Sequence, residues 1–288
     1  MHIQWPLVLF TLFNGLGVGA FCYVAITEWF GMAEFIRFPG AITALVALWI
    51  GGLASVFHLS HPFRAYNIIR RLNTGIGKEL IYSSITGGVI FLYIILLIAG
   101  MMGITVPTQL TKIVVLIGFI SGVILAFEMG ANYVLPSRPS WNTWFWPFVY
   151  ASSASVVGLF AIYFWAALLG SDMEELFVIG FNKVVLIALI IEAAVILAYG
   201  IFLKNAPHQE SSREPARILT GDLAPAFWVG IALCGLVVPL LLTIWIQIAR
   251  SADYALIAAM VGLIGALVGG GTIRGLMYVL GSEIDPIL

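Results

Sequence analysis

A chain of 288 residues in which 61% are hydrophobic and only 9% are charged is too apolar for a water-soluble fold, where about a quarter of residues carry charge. Its net charge of -1 excludes a nucleic-acid partner, because phosphate binding needs an excess of Lys and Arg. Cys22 and Cys234, its 2 cysteines, lie far apart in apolar stretches, so they read as small core residues and define no disulfide framework, zinc spacing or iron–sulfur motif.

Segments long enough to cross a bilayer, about 20 residues each, run approximately from Trp5 to Phe30, Ala41 to Leu59, Leu80 to Met102, Ile113 to Tyr133, Phe145 to Leu169, Leu176 to Leu203, Ala226 to Ile248 and Tyr254 to Gly281. Backbone polar groups must be satisfied internally in lipid, and continuous apolar runs exclude an alternating barrel pattern. The expected fold is therefore all-α and integral to the membrane, a single domain over residues 1–288 built as a bundle of eight transmembrane helices. The first segment has no Lys or Arg ahead of it, exceeds a signal-peptide core and lacks a small-residue cleavage site, so it reads as a retained helix. Gly87-Gly88 and Gly269-Gly270-Gly271 suit close helix approach, but glycine is common in membrane helices and carries little weight alone.

An even number of crossings places both ends of the chain on one face, called side A below. Side A receives the long connections, Ser60 to Glu79, Val134 to Trp144 and Lys204 to Pro225. Eight basic residues lie there, Arg64, Arg70, Arg71, Lys78, Arg138, Lys204, Arg213 and Arg217, against four on side B, Arg37, Lys112, Lys183 and Arg250. The positive-inside rule would make side A cytoplasmic; a docking surface for a partner protein explains the same excess.

The most informative stretch is His58-Leu59-Ser60-His61-Pro62-Phe63-Arg64-Ala65-Tyr66-Asn67, followed by Gly77-Lys78-Glu79-Leu80. It gathers histidines, cations and a carboxylate between two apolar segments, which suits a redox carrier that exchanges protons with electrons. A charge at the centre of a membrane helix costs at least about 2.5 kcal/mol, so each needs a partner, water or a purpose. Asn14, His58, Glu79, Glu128 and Arg274, from five different segments, fall at roughly one depth on side A and predict a polar pocket opening there. Simpler readings stand beside this one. Glu79 has the place of a helix N-terminal carboxylate favoured by the macrodipole, and Arg274 that of a snorkelling cation. Glu192, deeper in its helix, reads either as an internal hydrogen-bonding group or as part of a proton route. His61 and His208 read as solvated loop residues, and Trp141, Trp144 and Trp146 as an interfacial aromatic belt.

A bis-histidine haem needs axial histidines on facing helices at matched depth. With 4 histidines in the chain and only His58 suitably placed, no haem and no metal are expected. An electron role then needs a diffusible carrier in lipid and an external acceptor.

Here a resemblance enters. His58 through Arg64, Ala65 and Asn67 to Glu79 resembles the signature loop of the membrane-anchor subunits of dimethyl sulfoxide reductase and its relatives. Phe10-Thr11-Leu12-Phe13-Asn14 with the glycines after it resembles the first helix of that family. Tyr133, Pro139-Ser140-Trp141-Asn142-Thr143 and Pro147 resemble its fourth connection, and Ile273-Arg274-Gly275 with Tyr278 its last helix. Ser60, where the family often has Gly, and His61 are local departures.

The resemblance implies a multi-pass protein of a prokaryotic inner membrane that oxidises menaquinol. It implies a partner iron–sulfur subunit, which passes electrons to a molybdopterin catalytic subunit. His58 and Glu79 match the family's catalytic positions, and Arg64 the basic residue of the same motif. Asn14, Glu128 and Arg274 complete the expected quinol-binding set. In the expected mechanism neutral His58 accepts a hydrogen bond from one hydroxyl while Glu79, then Glu128, accepts the proton; histidine needs little tuning for such work. Arg64 or Arg274 holds a carboxylate ionised or stabilises an anionic semiquinone. Two alternatives use the same pocket: an ion-coupled secondary transporter, which calls for paired Gly or Pro interruptions that are not evident here, and an anchor running in reverse as a quinone reductase. The terminal substrate is chosen in another polypeptide and is not legible in this one.

Overall fold

The computed structural model describes residues 3–57, 70, 72–169, 180–205, 209–249 and 252–280. His58 and Arg64 lie outside the described residues, as do His61, Arg71 and His208. Among the described residues eight helices are long and apolar enough to cross a membrane, as the hydropathy pattern predicts.

The helices are α1 (Trp5–Phe30), α2 (Glu34–Val56), α3 (Gly75–Met101), α4 (Thr108–Ala131), α5 (Phe145–Leu169), α6 (Phe181–Lys204), the short α7 (Gln209–Leu219), a π-helical segment (Ala226–Val237) continuing into α8 (Val238–Ala249), and α9 (Ala252–Leu280). α1 and α5 occupy the centre. α1 packs against α2, α4 and α5, while α5 also meets α6 and α9. α3 lies mainly on α4, and the π-helical segment on α9.

Lipid removes the hydrophobic drive between helices, so close packing has to hold them together. The α1–α5 crossing shows how. A Cβ on Gly19 would overlap the Ala154 carbonyl oxygen, and one on Gly158 would overlap the Gly19 carbonyl carbon. Either side chain would force the two central backbones apart. Gly87 and Gly88, by contrast, face open space; of the glycine runs noted in the sequence, the one around Gly269, against Gly235, serves packing.

Several boundaries differ from expectation. α2 begins at Glu34 rather than near Ala41, because Arg37, which interrupts the apolar pattern, is neutralised inside the fold. Arg37 Nη1 lies 3.0 Å from Glu28 Oε2. Tyr93 donates to the same carboxylate at 2.8 Å and Thr111 at 3.0 Å, so one buried ion pair ties α1, α2, α3 and α4 together near side B. The Lys204 to Pro225 connection contains α7, whose Arg217 pairs with Glu214 at 3.2 Å and with Asp222 at 2.9 Å. In the seventh span the wide π turns precede Pro239, which has no N–H to return to Gly235 and whose ring would press on that carbonyl in a regular α-helix.

Candidate functional site

At side A, α3 starts at Gly75, where the Thr74 hydroxyl accepts from the Gly77 N–H at 3.2 Å and caps the helix. Glu79 is thus already beyond the first helical turn, which contains no acidic residue. The macrodipole reading of Glu79 is corrected accordingly, since that field fades within the first turn. Its side chain is turned inward and is 7% exposed. Asn132, just past the end of α4, donates from Nδ2 to Glu79 Oε2 at 2.9 Å. The other carboxylate oxygen, Oε1, is buried without a hydrogen-bond partner among the described residues. A side chain at Gly75 would overlap the Asn132 amide, its Cβ falling on Oδ1, so glycine there admits the residue that holds the carboxylate.

Glu128 lies one turn before Asn132 on α4, the Asn132 N–H returning to its carbonyl at 3.1 Å. That places it on the same helix face, within electrostatic range of Glu79. Its side chain is half-buried and makes no hydrogen bond or ion pair among the described residues.

Behind Glu79 stands an aromatic cluster. The Tyr133 and Tyr278 hydroxyls are 2.8 Å apart. Tyr133 stacks on Tyr150 with ring centroids 5.6 Å apart and meets Trp141 edge-on at the same distance. Trp141 Nε1 donates to the Met277 carbonyl at 2.8 Å, fastening the α4–α5 connection to α9. The Tyr133 hydroxyl lies within electrostatic range of Glu79. The aromatic-belt reading fails for Trp141 and Trp146, which are 3% and 1% exposed; Trp144 alone of the three is on the surface.

Arg274 is 1% exposed, so it does not snorkel. Its guanidinium lies 4.7 Å from the Tyr150 ring centre, a cation–π contact made stronger by desolvation. Nη1 donates to Ser153 Oγ at 3.0 Å and to the Gly270 carbonyl at 2.8 Å, while Nε and Nη2 are buried without partners among the described residues. Glu192 is buried as well and lies within electrostatic range of Arg274, so it is not isolated deeper in the bundle.

Of the residues expected to share a pocket, Glu79 and Arg274 both approach one aromatic cluster. Asn14 is buried against Gly51 of α2, whose added Cβ would meet its Oδ1 at 2.7 Å; the following residue, Gly15, faces Arg274 Nη2. Asn132, Tyr150 and Ser153 belong to the site and were missed in the sequence. For Asn132 a signal existed: an amide one turn beyond Glu128 extends the same helix face.

Among the described residues there is no cluster of His, Cys, Asp and Glu able to hold a metal ion. An eight-helix bundle of apolar spans with a polar, aromatic cluster gathered at one face defines an integral membrane protein. The chain belongs to the family described as DMSO reductase anchor subunit (DmsC), whose profile matches residues 1–280. It is 28% identical over 237 residues to the YnfH subunit of an anaerobic dimethyl sulfoxide reductase of Escherichia coli K12, covering 80% of each polypeptide. Over 147 residues it is 29% identical to the C subunit of the anaerobic dimethyl sulfoxide reductase of Haemophilus influenzae, covering 48% of this protein and 50% of that one. It is also 23% identical over 304 residues to the C subunit of the polysulfide reductase of Wolinella succinogenes, covering 92% of this protein and 90% of the relative. The protein is thus a multi-pass inner-membrane protein and the anchor subunit of a multisubunit reductase.

Proposed function

We propose that this anchor oxidises menaquinol at its side A face and delivers the electrons to an iron–sulfur subunit docked there, which supplies a molybdopterin catalytic subunit. The observation that carries the reading is the Glu79 carboxylate: inward-facing, held through one oxygen by Asn132, its second oxygen unpartnered among the described residues. A buried acceptor of this kind fits a hydroxyl brought to it from lipid. Menaquinol gives up two protons and two electrons on becoming menaquinone. Glu79 takes one proton and His58, which follows α2 in sequence, takes the other; both electrons pass to the iron–sulfur partner.

Arg64 completes the basic side of the signature loop. Arg274, behind Tyr150, supplies a positive field toward charge that develops on the head group as protons leave, and Asn14 and Glu128 border the site. The isoprenoid tail of the quinol remains in the bilayer, so only the head group has to enter.

The reading is tested with the isolated chain and the whole complex. Purified alone, the chain should show no b-type haem absorbance and should not oxidise menaquinol. Adding the iron–sulfur and catalytic subunits should restore menaquinol-dependent turnover. A haem spectrum in the isolated chain, or a complex that copurifies without either subunit and still oxidises menaquinol, would overturn it.

A further inference from the structure

α9 presents two faces. Arg274 and Met277 turn toward the aromatic cluster, whereas Ile273, Leu276 and Leu280 line a separate cavity of about 340 Å³ between α6, α7, the π-helical segment and α9. This volume is within the range of ligand sites, roughly 300–1,000 Å³. Its lining is almost entirely hydrocarbon, so water finds no polar partners in it, and an empty space would leave the lining without contacts.

The cavity opens sideways to the bilayer. Ala193, Leu197 and Ile201 follow one face of α6 along its border, with Leu197 65% and Ile201 54% exposed. The stripe ends at the membrane surface on Lys204, the last residue of α6, which is exposed and forms no ion pair among the described residues. α7 roofs the cavity and is fixed at its end by Trp228, whose Nε1 donates to the Leu219 carbonyl at 2.9 Å. Glu214 of that roof is buried and turned to Arg217 at 3.2 Å, a guanidinium it shares with Asp222.

We propose that this is a binding site for an anionic phospholipid, with one acyl chain in the cavity and the phosphate at Lys204. An apolar slot ending in an ammonium matches a molecule with an apolar chain and an anionic head. It does not match the oxidation of a quinol, which must give up its protons to bases: among the described residues the lining holds no carboxylate or imidazole, an ammonium only donates, and the Tyr199 hydroxyl itself donates to the Ser140 carbonyl at 2.9 Å.

The test uses the full chain in nanodiscs of phosphatidylcholine, with either chain-labelled phosphatidylglycerol or chain-labelled phosphatidylcholine as the spin probe. In the unaltered protein the immobilised component should favour phosphatidylglycerol by about fivefold, the effect expected of one basic residue near an anionic head. Lys204→Gln should remove that preference, while Lys183→Gln on side B should not. Gly200→Leu should abolish the immobilised component for both lipids. Gly200 has no atom within 4 Å of an added Cβ, so the variant should fold, and Ala193→Leu fills the same space independently. Equal immobilisation of the two lipids, persistence of the component in both filled variants, or bound menaquinol that those variants displace would each overturn the proposal.

Discussion

Asn132 reaches across from the end of α4 to hold Glu79 of α3, Nδ2 to Oε2 at 2.9 Å, and the bond leaves Glu79 Oε1 as the open end of the carboxylate. The carboxylate is thereby oriented without being used up. An ion pair would have satisfied it; a single amide donor fixes one oxygen and leaves the other without a partner among the described residues, as the proposed quinol chemistry requires.

Glu79→Gln and His58→Ala should each leave the complex assembled and its reduction by an artificial soluble donor intact. Menaquinol-dependent turnover should fall at least about tenfold, because a positioned proton acceptor typically contributes roughly 100-fold or more. Glu128→Gln, altering a half-buried neighbour, should have a smaller effect. Comparing the two donors on the same membranes separates quinol chemistry from assembly, and near-normal menaquinol turnover in both main variants would remove the site from Glu79.

If Asn132 positions Glu79, Asn132→Ala should lower menaquinol turnover by about fivefold, corresponding to the roughly 1 kcal/mol net of one hydrogen bond. Gly75→Ala should reproduce much of that loss without touching a polar group, since its Cβ would displace the Asn132 amide. Asn132→Gln at unchanged Gly75 gives a longer amide a chance to restore the bond. Steady-state rates with menaquinol and with the artificial donor check all three. A loss equal with both donors would mean that Asn132 serves the fold instead.

The spans were legible in the sequence because a bilayer imposes a length that apolar runs reveal directly. Which face of each helix turns inward was much less so. Helices apolar all round carry no periodic signal, and Tyr133, Trp141, Tyr150 and Trp146 have the composition of lipid-facing aromatics while packing in the interior. Glu28 was invisible as a functional or structural feature for a related reason: its partner Arg37 falls in a stretch that hydropathy alone assigns to a connection, so neither charge advertises the other. Arg274 shows the limit from the opposite side. Its depth in the last helix is legible, but its contact with the Tyr150 face depends on the crossing of α5 and α9.

The Glu28–Arg37 pair should govern stability rather than turnover. Arg37→Ala leaves Glu28 buried beside Tyr93 and Thr111 without its cation, and breaking a buried pair in this way costs about 3 kcal/mol or more. The thermal transition of the detergent-solubilised chain should drop clearly. At temperatures where the variant remains folded, menaquinol turnover per assembled complex should be unchanged, because this ion pair lies near side B and the proposed site near side A. A turnover defect with an unaltered thermal transition would assign the pair to the reaction.

The basic residues of side A differ in how freely their charge can meet a partner protein. Arg217 already faces Glu214 and Asp222, and its guanidinium holds the Asp222 carboxyl below the ordinary range. Arg70 and Lys78 are exposed beside the start of α3. If this surface docks the iron–sulfur subunit, Arg70→Glu with Lys78→Glu should release the soluble subunits while the anchor stays in the membrane, and raised salt should aggravate the release because exposed charges are screened. Arg217→Glu should instead loosen α7, with a weaker effect on docking. Quantifying soluble subunits in washed membranes over a salt series checks this. Full retention in the Arg70 and Lys78 double variant at every salt concentration would mean that the positive excess on side A records membrane orientation and not a partner.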